Sequence, residues 1–157
     1  HDGEPLAETD GQDHARASPL STGQIIEGPL SELHCDFTRV NDVHACHPTR
    51  YVYGALFNPA RPFTFDGVMK YDNALKKEDT FYYGADRYGG EAVFAPRLNA
   101  NTEDDGYLIS FVQDEAQVQS ECVIIDAQDV TKGPVATIVM PFRVPYGFHA
   151  GWVGQSG

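Results

Sequence analysis

GYLISFVQDEAQVQSECVIIDAQDVTKGPVATIVM, residues 106–140, is the stretch that decides the fold. It divides into three runs, GYLISFVQD (106–114), SECVIIDA (120–127) and PVATIVM (134–140), separated by short polar gaps. Each run is rich in β-branched or aromatic residues, which suit a pleated surface better than a helix. Apolar residues stand side by side in two of them, at Val123, Ile124, Ile125 and at Ile138, Val139, Met140. Simple alternation covers one face of a strand; adjacent apolar residues imply cover on both faces, as in stacked sheets. Working back toward the N-terminus, the same texture recurs in LHCDFTRV (33–40), RYVYGALF (50–57), DGVMKYD (66–72), DTFYYG (79–84) and EAVFAPR (91–97). Gly, Pro, Asn and Asp punctuate the gaps, at NPARP (58–62), RYGGE (87–91) and NTEDDG (101–106).

The sequence therefore predicts an all-β chain of eight strands. Its one helix-like stretch, NALKKED (73–79), falls where a meander needs a turn. Eight strands in about 125 residues correspond to about two four-stranded blades of a β-propeller, although a β-sandwich would be written much the same way. Two blades alone would leave apolar faces and a closing edge uncovered, so the strands are expected to belong to a larger barrel-like body. Residues 1–23 differ in kind, carrying five acidic side chains against one Arg, with Leu6 and Leu20 as the large apolar residues. Such a segment buries too little to offset its ordering entropy and is expected to be a flexible acidic stretch. The domain expectation is thus 1–23 flexible and 24–157 folded.

Eleven Lys and Arg against 23 Asp and Glu give the 157-residue chain a net charge of -12. That balance repels polyphosphate, so nucleic-acid binding is not expected, nor docking on an anionic membrane. No apolar run reaches the roughly 20 residues of a membrane span. Cys35, Cys46 and Cys122 form no CxxC pair, which suits reduced thiols inside a cell. No signal peptide is readable, and the absence of a leading Met is expected of a processed chain or a piece of a longer one.

Candidate chemistry is sparse. His34, Cys35, His44, Cys46 and His47 lie close in sequence, but the paired spacing of a structural zinc site is missing, and VNDVHACHPTR (40–50), which carries the last three between two strands, reads as a solvated loop. There is no GxSxG elbow and no phosphate-binding loop. Glu91 follows two glycines and opens an apolar run: it either points to water or is an inward carboxylate that needs a cation or a donor. Asp36 is a lone acid between Cys35 and Phe37. His149 lies in RVPYGFHAGW (143–152), among Tyr146, Phe148 and Trp152. It is either a core histidine bonded to a carbonyl or a metal ligand whose other nitrogen faces a carboxylate, a part Glu91 would fill.

Four ordered blocks then carry a resemblance: DFTRVN with RYVYGA (36–41, 50–55), GVMKYD (67–72), RYGGEAVFAPR followed by EDDGYLISFV (87–97, 103–112), and RVPYGFHAGWV (143–153). From about residue 24 onward the chain resembles the carotenoid cleavage oxygenases, which include lignostilbene-cleaving dioxygenases. It looks like their C-terminal third, with no counterpart for residues 1–23. The resemblance implies part of a seven-bladed β-propeller whose axis holds Fe(II) through four histidines, three of them oriented by glutamates. His149 matches the last iron ligand and Glu91 one of those carboxylates. Asp36 falls where a further glutamate is usual and is one methylene shorter, which puts direct contact with a ligand histidine in doubt. Ala150 stands where glycine is common. None of His1, His14, His34, His44 or His47 matches another ligand, so this chain by itself is expected to be inactive.

The resemblance further implies O2 and an apolar polyene or stilbenoid substrate, cleaved at a C=C bond into two carbonyl products. Tyr146, Phe148 and Trp152 become candidates to line a substrate tunnel. The implied setting is the cytoplasm, with a plastid as the alternative. Membrane docking, which some relatives show, depends on an apolar patch that the sequence does not mark. Two competing functions are a non-catalytic propeller used as a binding platform and a polyene isomerase on the same fold.

Overall fold

The computed structural model describes residues 31–61 and 63–154, together with the backbone pairing of Arg16–Ala17 (β1) and Ile26–Glu27 (β2). Apart from β1, the expectation for residues 1–23 lies outside the described residues. The chain divides at Glu32/Leu33 into two units, and the second carries two antiparallel sheets.

The first sheet is a meander of Cys35–Arg39 (β3), Tyr51–Phe57 (β4), Phe65–Asp72 (β5) and Lys77–Tyr82 (β6), in the order β3-β4-β5-β6. Its inner strands bury runs of consecutive positions, 53–56 in β4 and 67–71 in β5, so both of their faces are covered there. The helix-like NALKKED stretch is a turn that opens into β6. Between Asp36 and Arg39 the register of β3 slips against β4, and Phe37 takes a left-handed φ of 50°. A bulge of this kind re-aims side chains, and it falls in the DFTR block.

The second sheet is built on Gly106–Asp114 (β9), with Gln119–Asp126 (β10) and Pro134–Val139 (β11) on one side. On its other side two short strands, Arg87–Tyr88 (β7) and Val93–Pro96 (β8), both pair with β9, at Arg87↔Asp114 and at Val93↔Ile109 onward. They are two pieces of one interrupted strand. The sequence placed Glu91 at the start of the strand, whereas pairing resumes only at Val93. The glycines explain the break. Gly89 leaves β9 to donate its N–H to the Phe65 carbonyl of the first sheet at 2.7 Å, and a Cβ there would come within 2.5 Å of the Tyr83 ring. Glu91 therefore lies in the gap between two paired segments.

Tyr53, Val68, Tyr83, Phe94, Leu108, Val112, Val123 and Ile125 form the main core, with Tyr53 stacked on Phe94 at 5.6 Å. Burying each large apolar side chain contributes about 1.5–3 kcal/mol. Leu56, Met69 and Tyr71 form a second, smaller cluster. One expectation is corrected at β11. Ile138 and Val139, expected to be covered, are 53% and 58% exposed, because β11 pairs with β10 along one edge and has no strand on the other among the described residues. No helix of the described residues is long and apolar enough to cross a membrane. All three cysteines are unpaired.

Candidate metal centre

Beyond β11 the chain runs through residues 141–154 without regular secondary structure, and hydrogen bonds pin it at three places. Arg143 Nη2 lies 2.6 Å from Glu115 Oε1, and the Tyr146 hydroxyl donates to the same carboxylate. Val144 N–H donates to Ser120 Oγ at 2.8 Å, while that hydroxyl donates to Gln113 Oε1. Ala150 N–H donates to Glu91 Oε2 at 2.6 Å. Irregular backbone is costly to hold in one conformation unless such contacts fix it. Here the fixed segment carries His149.

Two of these contacts shift titrations. Tyr146 and then Arg143 hold the Glu115 carboxyl below its usual range. Burial, followed by the bond to Glu115, pushes the Tyr146 phenol up to about 12.

Glu91 and His149 meet, as the second reading of each required. Nδ1 of His149 lies 3.5 Å from Glu91 Oε2, and the Glu91 side chain is 4% exposed while that of His149 is 79% exposed. A carboxylate so placed selects the tautomer that carries its proton on Nδ1, an assignment made from the neighbour rather than from a visible hydrogen. Nε2 is left as the nitrogen available to a metal. The donor set thus fits one imidazole ligand of an Fe(II) site. Among the described residues no cluster of three or more His, Cys, Asp or Glu could hold a metal, so the remaining ligands are not supplied here. His44, Cys46 and His47 lie in or next to a short 3-10 turn at Asp42–His44, as a loop.

Asp36 behaves differently. Its Oδ1 accepts the N–H of Phe37 at 2.7 Å, bracing the bulge, and the side chain is solvent-facing rather than turned to His149. The bulge instead brings the Phe37 ring to 5.1 Å from the His149 ring, edge to face, and to 6.2 Å from Phe148. Phe63 lies 6.3 Å from Phe148. Arg39, at the end of the same strand, places Nη1 at 3.6 Å from Glu91 Oε1. Phe37 and Arg39 were not singled out in the sequence. The available signal was an aromatic and a cation one and three positions after the acid in DFTR, which gains meaning only through the bulge.

A cleft of about 380 Å³ opens beside His149, walled by Glu91, Phe111, Gln113, Tyr146, Gly147 and the glycine pair. Gly90 faces the tail, a Cβ there coming into ordinary contact with the Gly147 carbonyl at 3.4 Å. Of the aromatic tunnel candidates, Tyr146 lines this cleft. Phe148 and Trp152 are outside its lining and about half exposed, Phe148 joining Phe37 and Phe63.

Comparison with known proteins adds three findings. The model of the RPE65 family, described as retinal pigment epithelial membrane protein, matches residues 8–154, so the match begins well before residue 24 and inside the acidic stretch. The carotenoid 9,10(9',10')-cleavage dioxygenase of Crocus sativus is 39% identical over 151 residues, covering 87% of this chain and 27% of that protein. The apocarotenoid-15,15'-oxygenase of Synechocystis is 32% identical over 119 residues, covering 75% and 24%. Among solved structures, a cobalt-substituted Synechocystis apocarotenoid oxygenase matches with a TM-score of 0.78 at 27% identity, over 86% of this chain and 28% of that one. That enzyme is a β-propeller, and the two sheets correspond to part of it. The chain spans about a quarter of the length of these relatives.

Proposed function

This chain belongs to the carotenoid cleavage oxygenase (RPE65) family, and on that premise we propose that it forms part of a non-haem Fe(II) dioxygenase that cleaves a C=C bond of a carotenoid, apocarotenoid or stilbene-type substrate into two carbonyl products. The observation that carries the proposal is the pairing of His149 Nδ1 with the buried Glu91 carboxylate, which leaves an exposed imidazole with one nitrogen to offer. Nε2 of His149 would hold the iron, which supplies open coordination positions for O2 beside neutral imidazole ligands.

The work of the protein side chains follows from their contacts. Glu91 Oε2, 3.5 Å from Nδ1, would orient the ring and make the opposite nitrogen a better donor. Ala150 contributes to that arrangement through its backbone N–H, so an alanine serves in this contact as well as a glycine would. Asp36 acts one step removed, by bracing the bulge that aims Phe37 at the His149 ring. Tyr146 walls the cleft, and Phe148 extends an apolar surface with Phe37 and Phe63. Such a lining suits a polyene, which offers no charge to grip and is oriented by shape and apolar contact. Unpaired cysteines fit an intracellular setting.

The test is made on the complete protein. Incubation with a carotenoid, an apocarotenoid and a stilbenoid under labelled O2, followed by mass spectrometry, should give two labelled carbonyl fragments from one of them. An isomer of unchanged mass as the product would replace cleavage with isomerisation. His149→Ala should abolish both iron loading and turnover, and full iron content in that variant would overturn the ligand assignment.

A further inference from the structure

We infer that Arg39 is a positioning residue that fixes the orientation of the Glu91 carboxylate, an inference that rests on the ligand role of His149 and extends the arrangement by one residue. Glu91 Oε2 is shared by Ala150 N–H and His149 Nδ1, at 2.6 and 3.5 Å. Its other oxygen, Oε1, faces Arg39 Nη1 at 3.6 Å. The side chain is 4% exposed, so water does not make good a missing partner, and a buried carboxylate oxygen without one is costly. The terminal torsion of a glutamate is broad, so the plane of the carboxylate is set by what its two oxygens meet. A cation on the Oε1 side restrains that plane while Oε2 faces the ring. The other arm of Arg39, Nη2, lies 3.8 Å from Asp42 Oδ2 in a solvent-facing pair. The bulge delivers it: Arg39 belongs to the first sheet, Glu91 to the gap in the second, and their contact crosses between the sheets beside the histidine.

The experiment uses the complete protein with cobalt(II) as the probe, its affinity measured by chelator competition. Arg39→Met should weaken cobalt binding about tenfold, at the lower end of what loss of an orienting partner costs. Arg39→Lys, which keeps the cation, should recover most of the loss. In a Glu91→Gln background, Arg39→Met should change affinity by less than about twofold, because the group it orients is already altered. Wild-type affinity in Arg39→Met, or an equal loss in both backgrounds, would overturn the inference. Should Arg39→Met fail to fold, the double variant with Glu91→Gln decides. Recovery of a folded protein with the Glu91→Gln affinity supports the role, and continued failure to fold overturns it in favour of a purely structural contact. Unchanged cobalt binding in His149→Ala would remove the ligand assignment and this inference together, whereas loss there with full binding in Arg39→Met removes this inference alone.

Discussion

Two carboxylates, Glu91 and Asp36, are nominated by the same family pattern, and the structure gives them opposite surroundings. Glu91 sits in a strand break opened by two glycines, is almost wholly buried, and meets His149, the Ala150 N–H and Arg39. Asp36 lies on an edge strand in solvent and braces the backbone of the next residue. One methylene is part of the reason, since the shorter side chain reaches its own neighbour's N–H more readily than a group across a gap. The larger part is position: only the interrupted strand turns its acid toward the tail that carries the histidine. What a carboxylate meets is decided by what the backbone does on either side of it.

The largest expected effect tests that contrast directly. In the complete protein, Glu91→Gln should lower metal affinity about 10- to 100-fold, the usual consequence of removing an orienting carboxylate from a ligand histidine. Asp36→Asn should leave affinity within about twofold. Isothermal titration with cobalt or iron would show the difference, and equal losses in the two variants would erase the distinction between the acids.

The next effect concerns the tail on which Glu91 depends. Ser120 is 1% exposed and both accepts from Val144 N–H and donates to Gln113. Ser120→Ala leaves the buried Gln113 Oε1 and the part-buried Val144 N–H short of a partner and should destabilise the fold by about 1–2 kcal/mol in denaturant unfolding. Metal affinity should fall too, by less than in Glu91→Gln, because the Ala150 contact still holds the far end of the tail. A variant with lower stability and unchanged affinity would show that the site does not depend on the 143–146 anchor.

How much of this was legible in the sequence depends on the range of the interactions. Strands at 106–114 and 120–127 were readable because β-branched and apolar runs carry their own signal. His149 and Glu91 were each nominated through the ordered blocks that surround them, but the residues alone did not place them together. The interruption at residues 89–92 was not, since EAVFAP has the composition of an unbroken strand and only the Gly89 bond to Phe65 and its contact with Tyr83 end the pairing. Phe37 and Arg39 were missed for a related reason. In a regular strand they would share a face, and their separate targets, the His149 ring and Glu91, follow from a register slip that no local pattern announces.

A smaller effect is expected at high pH. The Tyr146 phenol is pushed up to about 12 from an ordinary value of 10.0, so its neutral form favours the folded chain. Its contribution is complete below about pH 10, declines as pH rises, and is lost once pH passes the folded value near 12. Burial also pushes up the Tyr51, Tyr53 and Tyr83 phenols, so an ultraviolet titration should show several phenols ionising late. Tyr146→Phe should lower that late amplitude by one phenol while making the tail less dependent on pH between those limits, and an unchanged late amplitude in the variant would show that Tyr146 is not among the late phenols.

The smallest effect separates the two possible duties of Asp36. As a brace for the bulge, the residue needs only an acceptor oxygen, which asparagine also has, so Asp36→Asn should be nearly neutral in stability. Asp36→Ala removes the acceptor and should cost roughly 0.5–1 kcal/mol, because the freed N–H of Phe37 can turn to water at this exposed position. Phe37 would still carry its left-handed φ, a conformation an aromatic residue adopts only under constraint, and the weakened constraint should let its ring leave His149 more often. If charge rather than acceptance were the requirement, asparagine would fail as badly as alanine. The order Asp ≈ Asn > Ala in thermal unfolding, with metal affinity almost unchanged across the three, is therefore the expected result, and a metal affinity that tracks charge would return Asp36 to the same role as Glu91.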